Sequence, residues 1–457
     1  MTLNSESYMS NEPAISKNVR KKLLIITSSG GGGLIQTANA KEQEALVKDP
    51  NLLIVRRDIF RHWVWKPFGN FCVNFWNKAQ LGGNLKAQKI CVWGQFLVDY
   101  FLYPTLFIHA LYTLFKEDVD QVIDTQPMGT VAILQAIRIY NARRGKNVRL
   151  EKILVDLPTK KATHFFRPIK GLSKKNRRNL QLTSIVPLLE KGETAEEFWQ
   201  TNCGMSEKEV HYEEVYVRQA FQKFKRKIRS DEIMKIKVKF KNREERDLMR
   251  KTIERGSISA NLRESEFEFK IRPEDRMVTV LLGSQPAKEG TLNYTKKFAA
   301  LVKEFPKTPF HLFVFCADHQ EGEDSLFRKV TDFACQIKDF PKHFSIIPFS
   351  FQNEDVIAPL LYRSDATCTR SGGQTAMELM CVSTGEMWIH SEAKEKNPSM
   401  EMLLEGIPGW EAESAIYLQR MRGAKVVTPE TFIPHARRLF QSNGAQALAS
   451  RQLESTA

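Results

Sequence analysis

At 457 residues, with 42% hydrophobic and 26% charged residues, the chain is too well supplied with apolar side chains for a disordered polymer and too long for one ordinary core; it suits two domains of about 200 residues each. Lys and Arg outnumber Asp and Glu by 68 to 53, a formal net charge of +15, so an acidic partner is expected: anionic lipid, a polyphosphate ligand or nucleic acid. The seven cysteines are odd in number and scattered, with no C-x-x-C pair, which argues against a disulfide framework or a structural zinc and for a reducing compartment.

Residues 1–20 are polar and mixed in charge, lack the apolar core of a secretory signal and are expected to be disordered. Leu23-Leu24-Ile25-Ile26 is an apolar run of the kind that forms a buried parallel strand. It leads into a tetraglycine turn containing Gly31, Gly32 and Gly33, then a helix from about 36 to 47. Strand, glycine turn and helix open a doubly wound unit, and ligands bind at such turns, although the G-x-G-x-x-G dinucleotide fingerprint is absent. Residues 52–55 form the second strand.

Between 58 and 115, Trp, Phe and Tyr alternate with Arg and Lys, as in Trp63, Trp65, Trp76, Trp93, Arg61, Lys78 and Lys89. Aromatic rings beside cations suit the headgroup level of an anionic membrane; an aromatic core with solvated lysines is the competing reading. Residues 96–115 have the length of a membrane span, but Asp99, Pro104 and His109 interrupt them, so a buried or interfacial helix is expected instead.

Alternation resumes with strands at 121–124 and 152–156 around a helix at 130–141. Asp124 and Asp156 end these strands, and the loops after them, with Gln126 in the first, face the same crevice as the tetraglycine turn. Residues 170–262 are basic, and 205–262 reads as a charged helical linker or insertion. No aromatic platform or nucleic-acid motif accompanies that charge, so nucleic acid is not an expected partner.

A second doubly wound half follows, with strands at 277–282, 311–315, 344–348, 365–369, 386–390 and 425–427 separated by helices. Its fourth strand ends in Arg370-Ser371-Gly372-Gly373, and a helix opens at Gln374-Thr375. Glycines admit a ligand close to the backbone, and the free N–H groups and positive dipole end of the helix suit phosphate or diphosphate. Glu378, one turn in, is placed to accept two hydrogen bonds from a sugar diol. The fold expected is therefore α/β, with two doubly wound Rossmann-type domains, 21–204 and 263–430, facing across a cleft, and a helix and tail at 431–457.

These residues carry a resemblance. The glycine turn at 30–33, the Trp/Phe-rich stretch, Val155-Asp156-Leu157-Pro158-Thr159 with Thr163 and Phe165, and Arg370 to Glu378 resemble the GT-B glycosyltransferases. The chain is most similar to the monogalactosyldiacylglycerol synthase and processive diacylglycerol glucosyltransferase group, and more distantly to the peptidoglycan-precursor N-acetylglucosaminyltransferase. The resemblance covers roughly residues 21–165 and 276–430. It implies that Gly372 to Thr375 hold the donor diphosphate, that Glu378 holds the ribose, and that Gly283 and Ser284 touch the phosphates from the other side. It also places Phe349 to Gln352 against the base, with uridine as the default.

Departures from the family bear on mechanism. Leu34 stands where the family has a histidine after the first glycine turn, Gln126-Pro127 replaces its His-Pro, and Lys161 falls near its third histidine. Direct inversion needs a base near the acceptor hydroxyl, for which Asp156 and Asp124 are the candidates, with His164 behind them; a retaining mechanism, in which the donor phosphate takes the proton, needs none of the three. Lys161 and Lys160 could instead neutralise phosphate. The expected activity is transfer of a sugar from a nucleotide-diphosphate donor to a lipid or other membrane-associated acceptor, by a cytoplasmic, peripherally membrane-associated enzyme with no metal or cofactor. The alternatives are a sugar-nucleotide epimerase or hydrolase, and a catalytically silent nucleotide-binding or scaffold protein.

Overall fold

Apolar runs such as KLLIIT and FHLFVF bury side chains on both faces, which requires a parallel sheet covered by helices on each side. The structure, a computed structural model, describes residues 20–81, 84–225, 227–263, 265–283, 287–306, 308–316 and 325–441, and it contains two such sheets. The first comprises β1 (Lys22–Thr27), β2 (Leu53–Asp58), β3 (Gln121–Asp124), β4 (Leu150–Ile153), β5 (Leu180–Ser184) and β6 (Val210–Tyr212), in the order β2-β1-β3-β4-β5-β6. All its pairings are parallel. Chain winding reverses between β1 and β3, and ligands bind at that switch point, beyond the carboxyl ends of the strands.

Residues 205–262 differ from the helical linker expected of them. Val210–Tyr212 completes the first sheet. A three-stranded antiparallel sheet follows, made by β7 (Met234–Lys239), β8 (Ser259–Leu262) and β9 (Glu266–Ile271) with the helix Arg243–Arg255 between β7 and β8. In MKIKVK, Ile236 and Val238 are buried while the lysines are exposed. That is the period-two pattern of a half-buried strand, and the charged face masks it in composition.

The second parallel sheet comprises β10 (Arg276–Leu281), β11 (Phe310–Phe315), β12 (Phe344–Phe349), β13 (Ala366–Thr369), β14 (Glu386–His390) and β15 (Lys425–Val427). Its order is β12-β11-β10-β13-β14-β15, with the switch point between β10 and β13. The small sheet packs on this domain through Phe269, whose ring meets Phe313 and Phe349 edge-on at 6.3 and 6.0 Å. The architecture is thus two doubly wound, Rossmann-like domains, as the alternation predicts.

Helices on the first domain divide into covering and exposed kinds. α1 (Gly32–Lys48) follows β1, and α2 (Lys66–Leu81) follows β2. α3 (Leu85–Glu117) is a single 33-residue helix that contains Pro104. It lays Leu106, Ala110 and Leu114 on α4 (Thr130–Arg144), while its other face exposes Trp93, Phe96, Tyr100, Phe101, Ile108 and Tyr112. The aromatic stretch is therefore only partly core.

The domains meet at bare backbone. A Cβ on Gly373 would lie 2.5 Å from Asp156 Cα and overlap the Val155 carbonyl. Beside it, Thr37 Oγ1 donates to Gln374 Oε1 at 2.7 Å, fully buried. Gly373→Ala is expected to cost about 1–3 kcal/mol by overpacking this contact. A thermal melting midpoint equal to that of the unsubstituted protein would contradict the close approach.

Candidate functional site

Both switch points open on one cavity of ≈ 380 Å³. From the first domain it is lined by Gly30 to Leu34, Gln126, Asp156 and His164, and from the second by Gly283, Arg370, Gly372 to Thr375, Trp410 and Glu411. α2 and α3 add an apolar side with Phe71, Phe75, Trp76 and Val92.

Two helix N-termini point into this space. Gly31, at φ 109, adopts a conformation that L side chains rarely reach, and it turns the chain from β1 into α1. The helix Gly373–Val382 starts directly after β13 and Gly372. Neither has an acidic residue in its first turn or a side chain capping it, so the leading N–H groups are free to meet an anion. Arg370 brings a guanidinium to the same wall, held by Glu411 Oε2 at 3.2 Å. Burial pushes the Glu411 carboxyl up, and Asp156 nearby adds to this, while Arg370 pulls it back. Ser371 is buried behind the turn and donates to the Glu411 carbonyl oxygen at 2.7 Å, bracing the loop from below.

Beside the second glycine turn, His164 Nε2 lies 2.8 Å from Asp156 Oδ2. His164 enters on α5 (Thr163–Lys170), and Asp156 follows β4. A carboxylate only accepts hydrogen bonds, so an ionised Asp156 places the imidazole proton on Nε2. Nδ1 then carries the lone pair, and it is buried with no partner among the described residues. Once a hydroxyl displaces the packing over Nδ1, that arrangement can take its proton while the carboxylate holds the tautomer. The indole of Trp410 lies 5.8 Å from the imidazole, nearly edge-on, and stacks at 6.2 Å on Trp76 across the cleft.

Other residues picked out in the sequence lie elsewhere. Asp124 is wholly buried and paired with Lys152 Nζ at 2.6 Å, so it has no path to an acceptor; burial pushes its carboxyl up and Lys152 works against this. Phe349 is fully buried against Phe269, Phe313 and Phe315, so its ring cannot stack on a base. Glu378 does not line the cavity. It accepts from Arg218 Nε at 2.9 Å and Gln374 Nε2 at 3.1 Å, with burial pushing its carboxyl up and Arg218 offsetting this. Lys161 lines a second chamber of ≈ 920 Å³ behind Trp410, and Lys160 is paired with Glu190 and Glu193. Ser284 lies outside the described residues.

Sequence reasoning missed Arg218, Trp410 and Glu411. Arg218 sits on the segment crossing between the domains, where Tyr216, Val217 and Phe221 are buried in a cluster with Leu157, Met377 and Leu379. It touches Glu378 across 160 residues, and no local pattern announces such a pair.

The sequence matches no protein-family model and no curated protein. Among solved structures it is similar to MurG of Acinetobacter baumannii at 12% identity and a TM-score of 0.41, covering 95% of each chain. The glycosyltransferase SnogD from Streptomyces nogalater matches at 12% identity and a TM-score of 0.45, covering 94% of each chain. UDP-GlcNAc 2-epimerase from Neisseria meningitidis matches at 11% and 0.40, covering 93% of this chain and all of that one (100%). Similarity this distant carries nothing about function.

Removing the guanidinium beside a buried carboxylate strands a charge, so Arg218→Ala is expected to lose about 3–5 kcal/mol in urea unfolding. The apolar double variant Arg218→Met/Glu378→Leu should recover most of that loss. Equal stability of Arg218→Ala and the unsubstituted chain would show that the pair does not form.

Proposed function

We propose that this protein is a glycosyltransferase that moves a sugar from a nucleoside-diphosphate donor, UDP-sugar by default from the resemblance, to a lipid or other membrane-associated acceptor. The observation that carries this reading is the convergence of two glycine-turn helix N-termini, Arg370 and the His164–Asp156 pair on one cavity. The N–H groups of Gly373 to Thr375 and the Arg370 guanidinium receive the donor diphosphate and stabilise it as it leaves. His164 Nδ1 takes the acceptor proton as the new glycosidic bond forms, and Asp156 stabilises the resulting imidazolium. With Leu34 and Gln126 in place of histidines, this pair supplies the base. Gly283, at the end of β10, faces the donor from the other side.

Membrane association belongs to the same reading. One face of α3 packs on the domain and the other presents rings flanked by exposed Lys86, Lys89 and Lys116, which suits a helix lying in an anionic interface rather than crossing it. The proposed location is the cytoplasmic face of a membrane. The protein is expected to pellet with phosphatidylglycerol-containing vesicles at low salt and to be released at high salt. Failure to pellet at low salt would remove the membrane from the account.

The activity is tested by calorimetric titration of UDP, GDP and dTDP, then by transfer and donor-hydrolysis assays with the sugar of whichever binds. His164→Ala and Asp156→Asn are expected to leave donor affinity unchanged and to lower turnover by about 10²–10⁴-fold. Full turnover in both variants would contradict the assignment. One observation favours a second reading, a silent nucleotide-binding protein: the only carboxylate the resemblance assigns to the ribose, Glu378, is held by Arg218. Nucleotide binding without turnover on any donor would select it.

A further inference from the structure

The chamber behind Trp410 lies between α3, α5 and the residues just after α5, with Gly409 and Trp410 as its far wall. Val92, Gln95, His164 and Trp410 line both this chamber and the cavity with the glycine turns, so Trp410 and His164 stand as a partition between two connected spaces. Gln95 Nε2 donates to the His164 carbonyl oxygen at 3.3 Å, tying α3 to the partition. The walls are largely apolar, and the mouth opens beside the exposed ring face of α3 through Trp93, Phe96 and Tyr100.

The charged groups on these walls are unequal in what they have to bind. Lys89, Lys161 and Arg167 are exposed and make no ion pair among the described residues, in contrast to Lys160 next door. The single carboxylate, Asp99, accepts from the Gly129 N–H at 2.7 Å at the start of α4 and is occupied there. Three uncommitted cations around an apolar hollow complement a ligand with one anionic group and an apolar chain.

We infer that the acceptor is an anionic amphiphile, a phosphate-bearing lipid with a free headgroup hydroxyl, and that it reaches His164 sideways through this chamber rather than through the cleft that receives the donor. Its chain lies against α3, its phosphate meets Lys161 and Arg167, and its hydroxyl passes Trp410 to Nδ1 of His164. This inference rests on the transferase reading for its chemistry, but binding at the chamber can be measured without any donor.

The test is calorimetric titration of the full chain with dihexanoyl phosphatidylglycerol below its micelle concentration. The unsubstituted protein is expected to bind it, and Lys161→Glu/Arg167→Glu to bind it at least about tenfold more weakly. Both substitutions are on exposed side chains, and UDP affinity should be the same in the two proteins. Inorganic phosphate is expected not to compete. Absence of lipid binding, equal binding by the variant, or displacement by inorganic phosphate at comparable concentration would each overturn the inference. UDP titration of the same preparations reports separately on the donor site, so loss of one reading is distinguishable from loss of the other.

Discussion

The cleft depends on a contact that has no side chain in it. Gly373 lies against the Val155–Asp156 backbone, and only a residue without a Cβ permits that distance. The consequence is chemical as well as mechanical. The same peptide that abuts Gly373 carries Asp156, so the carboxylate holding His164 and the helix N-terminus suited to a diphosphate are set side by side by one close approach. Thr37 and Gln374 fix the neighbouring turn with a buried hydrogen bond, linking α1 to the helix that opens at Gly373.

Arg218 acts on the same helix from behind. Its guanidinium bridges Glu378 and Glu354, so the crossing segment is fastened to two helices of the second domain by charge as well as by the apolar cluster around Tyr216 and Phe221. A buried ion pair of this kind contributes little net stability against an apolar replacement, but losing one partner is costly. Glu378 is therefore a structural anchor in the conformation described, and a ribose could reach it only after Arg218 withdrew.

Much of the frame was legible in the sequence because strands covered on both faces must be apolar throughout. The runs at 23–26, 277–282 and 311–315 announced their strands, and the turns after them announced the crevice. Strands β7 and β9 were hidden because their alternate positions are Lys and Glu, which dominate composition while Ile236, Val238, Phe267 and Phe269 face inward. Within the site, residues on the glycine turns were legible from backbone chemistry, and Asp156 from its place at a strand end. Asp124 holds the same kind of place, but Lys152 on the adjacent strand neutralises it, and cross-strand register decided that. Phe349 was drawn to the cleft by resemblance and to the core by its aromatic neighbours; the core prevailed.

Charge and apolar surface are distributed to one purpose in this account: the first domain offers rings and uncommitted cations on α3 and α5, and the second offers helix N–H groups and Arg370 to a polyanion. In the proposed transferase the two glycine turns form a single nucleoside-diphosphate site. Amide hydrogen exchange with and without saturating UDP tests it most directly. With UDP bound, the amides of Gly32 to Leu34 and Gly373 to Thr375 are expected to exchange at least about tenfold more slowly. Unchanged exchange in both turns would contradict it.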